Sequence, residues 1–389
     1  MSALEGTRVL DLTMLLPGPF CTLFMADFGA EVIKVEPPET GDYIRWFPPM
    51  IGEMSARHHL VNRNKKSITL NLKSEEGRKI FFDLIPRFDV LVEGFRPGVM
   101  KRLGLDYKKV SEANPEIIYC SLSGYGQDGP YKDIVGHDIN YIGFASILDI
   151  SGKKDEAPAV PGVLTADIGG GMMALIGILL ALQARNRTGR GQYIDMSMLD
   201  GLIAWLYHIA GDCFTAETCP TRGDSNVTGN YACYTVYPTK DGKYVTVGAL
   251  EEKFWQTLCQ SLGVEDIIPD QFVPEKQDEL KEIFTDIFLT KTRDEWVEEL
   301  SKKDICFGPV QDLSEAFNDP QVTHRRMIQE IEIPEIGKVK QLGIPIKLSD
   351  TPGKIKKPAP KLGENTEEIL KNLGYSSSEI SDMRQRKII

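Results

Sequence analysis

The stretch TRVLDLTMLLPGPFCTLFMADFGAEVIKVE, residues 7–36, decides the fold of this chain. Its first part, TRVLDLT, is apolar and branched and predicts a buried strand. PFCTLFMADFGA predicts a helix that ends at Gly29, because glycine readily adopts the left-handed conformation with which many helices terminate. EVIKVE then predicts a second strand. A strand, a helix and a strand in succession are typical of a βαβ unit with parallel strands.

The same alternation continues through the first third of the chain. We expect a helix from Ser74 through Phe88, with Ser74 as its N-cap residue. Further strands are predicted at KSITLNL, DVLVEGF and EIIYCSLS. The fold class is therefore predicted to be α/β, with a large Rossmann-like domain whose mostly parallel sheet has helices on both faces. LLPGPFC follows the first strand in place of a GxGxxG fingerprint, which disfavours a dinucleotide-binding dehydrogenase.

A second, smaller domain is expected because 389 residues exceed what one hydrophobic core usually organises. From Asp167 to about Ala210 the chain is apolar and predicted to be helical. Its character changes near Tyr231, where YACYTVYPTKDGKYVTVGAL predicts a hairpin turned at Lys240-Asp241-Gly242. Helices are expected to follow through Lys303, which makes the smaller domain α+β.

The charge balance disfavours nucleic acid as a partner, since the formal net charge is -11. Local basic clusters such as RPGVMKR, residues 96–102, still allow an anionic small ligand. The seven cysteines include no CxxC pair, which favours free thiols in a reducing compartment. The longest apolar run, residues 168–182, is interrupted by glycines and is interpreted as a buried core helix rather than a membrane span. We therefore expect a cytoplasmic protein.

Three residues are candidates for proton chemistry. His137 precedes an expected helix start in VGHDINYIGF, where backbone N–H groups can hold an oxyanion. Asp167 stands before three glycines and an apolar helix, a setting that raises the pKa of a carboxylate. Glu251, in GALEEKFW, begins another helix. Taken singly, each pattern is more typical of a capping residue, a neighbour of a cap or a first-turn carboxylate.

Two other classes of site are disfavoured by spacing. His58 and His59 are adjacent rather than one helical turn apart, and no Cys/His cluster has the spacing of metal ligands, so we expect no metal. A serine hydrolase would carry a GxSxG elbow, and the sequence has none.

Ordered motifs along the chain resemble the family III CoA-transferase superfamily, and within it they are most similar to the α-methylacyl-CoA racemases. The motifs are LLPGPFC, FGAEVIKVE, LNLKSEEG, EGFRPGVMKRLGL, SLSGYGQDGPY, GHDINY, ADIGGGMM, GRGQYIDMSMLDG, DGKYVTVGALE and KLGENTEEIL. The resemblance implies an interlocked homodimer with its active site between one subunit's large domain and the other's small domain. The implied bounds are 1–200 and 325–389 for the large CoA-binding domain, 225–320 for the small domain, and 201–224 and 321–324 for linkers.

The racemase pattern also implies residue roles. His137 and Asp167 would be two bases on opposite faces of the substrate's α-carbon. Glu251 of the partner subunit would orient His137, and the backbone N–H of Asp138 would donate to the thioester oxygen. The implied substrate is a 2-methyl-branched acyl-CoA, and no separate cofactor is expected because CoA is part of the substrate.

For CoA binding, the resemblance points to four stretches. They comprise Leu70, Asn71, Leu72 and Lys73; Gly94, Phe95 and Arg96; Arg102; and Gly136, Asp138, Ile139, Asn140 and Tyr141. Lys73, Arg96 and Arg102 would contact phosphates, although solvated surface charge is the alternative for each. The chain departs from the racemase pattern at Pro37, where an arginine is common. Lys34 or Arg63 is expected to replace that contact.

The rival interpretation is a CoA-transferase in which Asp167 is the nucleophile. Three features favour the racemase instead. The family III CoA-transferases with which we compare this chain lack a histidine at the position of His137. They often have a glutamine near Leu16, which is apolar here. Some also have a glycine-rich flap where this chain has RGDSNVTGNYACY. A non-catalytic CoA-thioester-binding protein is disfavoured, since it has no reason to keep all three candidate residues.

Overall fold

Strands form a central parallel sheet and several smaller antiparallel sheets in this computed structural model, which describes residues 1–215 and 218–389. In chain order the strands are β1 (Arg8–Leu12), β2 (Glu31–Glu36), β3 (Met50–Ile51), β4 (Met54–Ser55), β5 (Lys66–Thr69), β6 (Val90–Glu93), β7 (Ile118–Ser123), β8 (Tyr193–Ser197), β9 (Tyr234–Pro238), β10 (Tyr244–Gly248), β11 (Phe307–Pro309), β12 (Ile328–Ile333) and β13 (Gly337–Leu342).

Helices connect and cover these strands. In chain order they are α1 (Pro17–Asp27), α2 (Ala56–Asn62), α3 (Glu75–Leu84), α4 (Val99–Leu103), α5 (Tyr107–Ala113), α6 (Asp138–Phe144), α7 (Ile147–Ile150), α8 (Thr165–Thr188), α9 (Met198–Trp205), α10 (Tyr207–Thr215), α11 (Glu252–Leu262), α12 (Gln277–Phe288), α13 (Arg293–Leu300), α14 (Leu313–Asn318), α15 (Pro320–His324), α16 (Thr366–Leu373) and α17 (Ser377–Gln385). Short 3-10 turns lie at Tyr43–Trp46, Ile85–Arg87, Glu265–Asp270 and Pro274–Lys276.

The chain folds into two compact units. The large unit comprises Met1–Phe144, Val163–Ala204 and Pro320–Ile389, and the small unit comprises Ala145–Gly162 and Trp205–Asp319. Residues 145–162 pack with the small unit, although the expected range of the large domain includes them.

The large unit is built on a parallel sheet with the order β5-β2-β1-β6-β7-β8. The chain starts in the middle at β1, moves outward through β2 and β5, and returns to the other side through β6. Val9 of β1 accordingly pairs with Val32 on one side and Val90 on the other. This is the strand order of Rossmann folds, in which ligands bind outside the carboxyl ends of the strands where the order reverses. The predicted α/β class with a large parallel sheet is confirmed.

Helices cover both faces of this sheet. On one face, Leu10, Ile33 and Leu91 pack in a core with residues of α3, α5, α16 and α17. On the other face lie α1 and α8, which also contact each other. Burial on both faces explains why the strands are continuous apolar runs rather than alternating ones.

Helix α3 illustrates how local sequence sets the ends of an element. Ser74 is its N-cap residue, as predicted, and its hydroxyl accepts a hydrogen bond of 3.0 Å from the N–H of Gly77. The helix ends at Leu84, four residues before the expected end, and a 3-10 turn continues through Arg87. The reason is Pro86, which has no N–H to donate and whose ring clashes with the preceding turn.

Several strands were not predicted from the sequence, among them the short strands β3, β4 and β11. Strand β8 lies inside the stretch expected to be helical, and it completes the parallel sheet beside β7. The hairpin of β12 and β13 lies in the C-terminal stretch, where no strands were predicted.

Helix α8 is held close to its neighbours by glycines. A Cβ at Gly171 would lie 2.5 Å from the carbonyl oxygen of Pro17, and one at Gly170 would lie 2.5 Å from Cγ of Met198. Real side chains do not approach so closely, so these glycines allow α1 and the start of α9 to pack directly on the α8 backbone.

The expectation that residues 168–182 form a buried core helix is only partly correct. Helix α8 has 24 residues, so by length and composition alone it is apolar enough to cross a membrane, and its most apolar window is 39% buried. One side packs against the sheet through small residues, whereas Met172, Ile176 and Leu180 are exposed in the single chain. An apolar stripe of this kind is typical of a protein interface.

The small unit has its own core. Strands β9 and β10 form the predicted antiparallel hairpin, and Gly242, in its turn, has a φ of +74°. Trp255, Phe284 and Phe288 pack behind the hairpin together with other apolar residues of α11, α12 and α13.

The prediction that all cysteines are free thiols is wrong at one pair. Cys213 and Cys219 form a disulfide within the small unit, which their separation of six residues brings within reach. The remaining cysteines are free, as predicted, and of these only Cys306 is exposed.

We expect Gly171→Ala to destabilise the protein, because the new methyl group meets a backbone oxygen that cannot move without shifting α1. Overpacking of this kind costs about 1–3 kcal/mol. Gly177→Ala is the matched control on the same helix, since a Cβ there meets Ile194 at an ordinary 3.4 Å. Urea unfolding followed by circular dichroism measures both free energies. Equal stability of the two variants would contradict the close packing of α1 on α8.

Candidate active site

A cavity of about 560 Å³ opens outside the carboxyl ends of β1, β2 and β5 in the large unit. Thr13 and Met14, which follow β1, form part of its wall. Lys387 reaches it from the C-terminal segment and pairs with Glu39 across 2.8 Å. Of the residues predicted to bind CoA, Leu70, Asn71, Leu72, Lys73 and Phe95 line this cavity together. The structure therefore brings the predicted stretch after β5 together with one residue, Phe95, of the stretch after β6.

Arg102 is separated from this group by helix α4. Val99 and Leu103 line the first cavity, whereas Arg102 and Lys101 line a second one of about 650 Å³ on the other side of the same helix. Buried Glu93 also lines the second cavity, and its burial raises its pKa to about 7.

The predicted catalytic histidine lies at the start of α6. Its ring is exposed, and its backbone N–H donates to Oδ1 of Asn140 across 3.0 Å. Its carbonyl accepts from the N–H groups of Asn140 and Tyr141. The predicted residues Gly136, Asn140 and Tyr141 thus shape the turn that presents His137, and Ile139 is exposed beside it.

Asp138 joins this turn to the start of helix α8. Its side chain is 6% exposed, and Oδ1 accepts from the N–H of Ala166 across 2.6 Å and from that of Asp167 across 3.1 Å. The first N–H groups of a helix have no partner within the helix, and a carboxylate also complements the positive end of the helix dipole. Asp138 therefore fixes the two helix starts that carry His137 and Asp167.

Asp167 has an unusual proton affinity. Burial raises the pKa of this carboxyl to about 6, and the nearby charge of Asp138 adds to the effect. Both causes disfavour the ionised form. The acid and the base forms of Asp167 are therefore both populated near neutral pH, which is the condition for exchanging a proton in either direction.

An aromatic cluster encloses the turn before α6. The ring of Tyr125 lies 5.1 Å from that of Tyr141 and 5.4 Å from that of Phe144, and Tyr131 completes the group. The Tyr141 hydroxyl donates to the carbonyl of Gly136 across 2.6 Å, and burial raises the pKa of Tyr141 to about 12.

The hydroxyl of Tyr125 is buried and has no hydrogen-bond partner among the described residues. It lies 3.3 Å from where a Cβ of Gly136 would stand, so it faces the turn that carries His137. Tyr125 is not among the site residues predicted from the sequence. The one pattern that points to it is its place in the aromatic, glycine-rich run SGYGQDGPY.

The guanidinium of Arg96 acts to lower the pKa of Tyr141, against the burial that raises it. Gly94 and Arg96 are both exposed just after β6, on either side of Phe95.

Lys34 and Arg63 do not provide the phosphate contact that was expected from them. Lys34 is fully buried and pairs with Asp42 across 2.9 Å. Arg63 is buried as well, and it pairs with Asp27 across 2.7 Å. Each cation is neutralised by a carboxylate inside the large unit, so the expectation is wrong for both.

Glu251 belongs to the small unit, where it is exposed at the start of α11. It is the N-cap residue of that helix, but its carboxylate makes no capping hydrogen bond. The backbone before it is held by Gln271, whose side-chain N–H group donates to the carbonyls of Ala249 and Leu250. The Glu251 side chain is thus presented on a fixed backbone without being used by its own helix.

The candidate residues do not include a metal centre. In residues 1–215 and 218–389, no three His, Cys, Asp or Glu side chains are grouped as metal ligands. The methionines of α8 and of the start of α9 differ in exposure. Met172 is exposed on the outer side of α8, whereas Met198 is buried against Gly170.

Comparisons with known proteins identify the family of this chain. The profile of CoA-transferase family III matches residues 4–366. The chain is 36% identical to human alpha-methylacyl-CoA racemase, over 100% of this chain and 97% of that protein. It is 34% identical to human succinyl-CoA:glutarate CoA-transferase, over 99% and 90%. A CAIB/BAIF family protein from Brucella suis superposes with a TM-score of 0.83 at 33% identity, over 96% and 99%. This chain belongs to CoA-transferase family III.

Proposed function

We propose that this protein is a racemase that inverts the α-carbon of 2-methyl-branched acyl-CoA thioesters. The observation that carries the proposal is the bond between Asp138 and the start of α8, which ties a histidine-bearing turn to an aspartate whose pKa is near 6. CoA thioesters appear in the names of the relatives, and the predicted CoA residues after β5 share one cavity with Phe95, which follows β6.

The chemistry requires two proton carriers. The thioester carbonyl acidifies the α-proton, so a base removes that proton while the C–H electron pair moves into the enolate. The enolate is planar and retains no configuration, so inversion requires an acid on the opposite face. In one direction His137 takes the proton and the acid form of Asp167 delivers another. In the reverse direction the two residues exchange roles.

The backbone N–H of Asp138 would donate to the enolate oxygen. Glu251 of the partner subunit would orient His137, and its lack of a capping bond leaves its carboxylate available. The exposed apolar side of α8 supports a homodimer. We place this homodimer in the cytoplasm and assign it no cofactor.

A CoA-transferase is the second candidate, and the similarity to succinyl-CoA:glutarate CoA-transferase favours it. In that reaction the ionised Asp167 attacks the thioester carbonyl, CoA leaves as the thiolate, and an acyl-aspartyl anhydride forms. The CoA thiolate then attacks the aspartyl carbonyl, which releases the first acid and leaves CoA on the enzyme for transfer to a second carboxylate. His137 has no part in these steps.

Incubation with one enantiomer of a 2-methylacyl-CoA in deuterated water distinguishes the two reactions. We expect loss of optical purity together with deuterium at the α-carbon when no carboxylate acceptor is present. Chiral chromatography and mass spectrometry measure both. Transfer of CoA to added glutarate or succinate without α-exchange would overturn the racemase and establish the transferase.

Substitution of His137 or Asp167 tests the proton transfer assigned to each residue separately. His137→Ala should lower the rate of racemisation by about 100-fold or more, because one proton carrier is missing. It should retain α-proton exchange for the one enantiomer whose proton faces Asp167. Asp167→Asn should retain α-proton exchange only for the other enantiomer, whose proton faces His137. Proton NMR in deuterated water follows both exchanges, and full racemase activity of His137→Ala would exclude the two-base assignment.

The charge of Asp138 should appear in the pH profile. Asp138→Asn keeps an oxygen acceptor for the two N–H groups but removes a negative charge, so the pKa of Asp167 should fall from about 6 toward its ordinary value near 3.8. Burial, the larger cause, remains. In the direction in which Asp167 accepts the proton, activity is lost as pH falls through this pKa, so the acidic limb should move to lower pH. An unmoved limb would show that another group titrates there.

A further inference from the structure

The loop between β1 and α1 contains a backbone conformation that needs external support. Leu15 has a φ of +64°, which lies in the left-handed region of the backbone. Residues other than glycine, asparagine and aspartate rarely adopt this conformation. The two residues before it, Thr13 and Met14, line the cavity that also contains Leu70 to Lys73. The conformation of this loop therefore sets one wall of the predicted CoA site.

A buried ion pair between Lys34 and Asp42 forms hydrogen bonds with the backbone of this loop. The N–H of Leu15 donates to both carboxylate oxygens of Asp42, across 3.0 and 3.2 Å. Nζ of Lys34 donates to the carbonyl of Thr13 across 2.6 Å and pairs with the same carboxylate. Neither side chain of the pair is exposed. One carboxylate and one ammonium thus bind both ends of a three-residue loop.

Asp42 is itself fixed by a second buried pair. Its N–H donates to Oε1 of Glu36 across 3.0 Å, and Glu36 receives two hydrogen bonds from Arg45, each of 2.7 Å. Burying ionised pairs is costly unless their geometry is nearly ideal and their remaining hydrogen-bonding groups are satisfied. A hydrophobic core would fill the same volume at lower cost, so four charges beneath one loop indicate that the position of the loop matters.

The same loop leads to helix α8. Two residues after Leu15, Pro17 begins α1, and its carbonyl oxygen lies against Gly171. Gly171 is four residues beyond Asp167 on α8. The loop is therefore continuous with the packing that locates the proposed acid.

We propose that Asp42, held by Lys34, is a positioning residue that keeps the β1–α1 loop in the conformation that admits the CoA thioester. This inference rests on the proposed function, because it assigns the cavity to CoA. Asp42 acts through Leu15 and takes no part in proton transfer, so its loss should weaken substrate binding more than turnover.

The test compares Asp42→Asn with the wild-type full-length protein. The amide keeps the shape but loses the charge that pairs with Lys34 and one of the two acceptor oxygens. We expect KM for the acyl-CoA and the dissociation constant for free CoA to rise about ten-fold or more, with kcat changed less than three-fold; a loss of one charged hydrogen bond has roughly this effect. Glu31→Gln is the matched control, since it removes a charge at the other end of β2, where Glu31 pairs with Lys66.

Two further measurements separate positioning from a general loss of stability. Hydrogen exchange should accelerate at the amide of Leu15 and its neighbours in Asp42→Asn, but not in the core strands β6 and β7. Leu15→Gly in the Asp42→Asn background should recover part of the lost affinity, because glycine adopts a φ near +64° without a side-chain clash. Unchanged exchange at Leu15 together with an unchanged KM would overturn the proposal, as would a uniform acceleration across the large unit.

These measurements also distinguish a failure of the proposed racemase function from a failure of the positioning role of Asp42. If the wild-type protein neither binds CoA nor acts on any acyl-CoA, while Asp42→Asn still accelerates exchange at Leu15, then the support of the loop stands and the CoA assignment falls. If wild-type racemisation is present and Asp42→Asn matches Glu31→Gln in every measurement, the positioning role falls and the racemase stands.

Discussion

The hydrogen bonds from the start of α8 to the carboxylate of Asp138 are the interaction on which the candidate site depends. They satisfy N–H groups that a helix start leaves unpaired, and they compensate a carboxylate that is only 6% exposed. The same contact has an electrostatic consequence, since the charge of Asp138 adds to burial in raising the pKa of Asp167. One side chain therefore determines both where Asp167 stands and how tightly it holds its proton.

The surroundings of this contact are rigid for two different reasons. On the helical side, Gly171 lets the α8 backbone meet the backbone of Pro17, and Gly170 lets it meet the side chain of Met198. On the side of the proposed CoA cavity, the ionic pairs Lys34–Asp42 and Glu36–Arg45 lie beneath the loop that follows β1. Close apolar packing resists compression, whereas buried charges resist rearrangement because any displaced ion would be left uncompensated. Both constraints meet at the β1–α1 loop, which touches the cavity through Thr13 and α8 through Pro17.

The fold was largely predictable from the sequence, because parallel strands buried on both faces must be apolar runs and their helices must alternate with them. Strand β8 was missed because YIDMS has only five residues and runs directly into the apolar helix α9, although Gly189 ends the long helix before it. The site was less predictable. Lys34 and Arg63 could each have been surface cations, and only tertiary structure reveals Asp42 and Asp27 beside them. Likewise, no pattern in the five residues of α4 indicates that Arg102 faces a different cavity from Val99.

The protonation of Asp167 is also what distinguishes the two reactions that this scaffold supports. A nucleophilic carboxylate must be ionised when the thioester arrives, and an adjacent negative charge that raises its pKa works against that requirement. A proton carrier must instead be able to hold and release a proton at working pH, and a pKa near 6 serves this purpose in both directions. Asp138 thus favours the protonated form of Asp167, which the proposed racemase uses as its acid. The proposed partner base, His137, already stands at the start of α6.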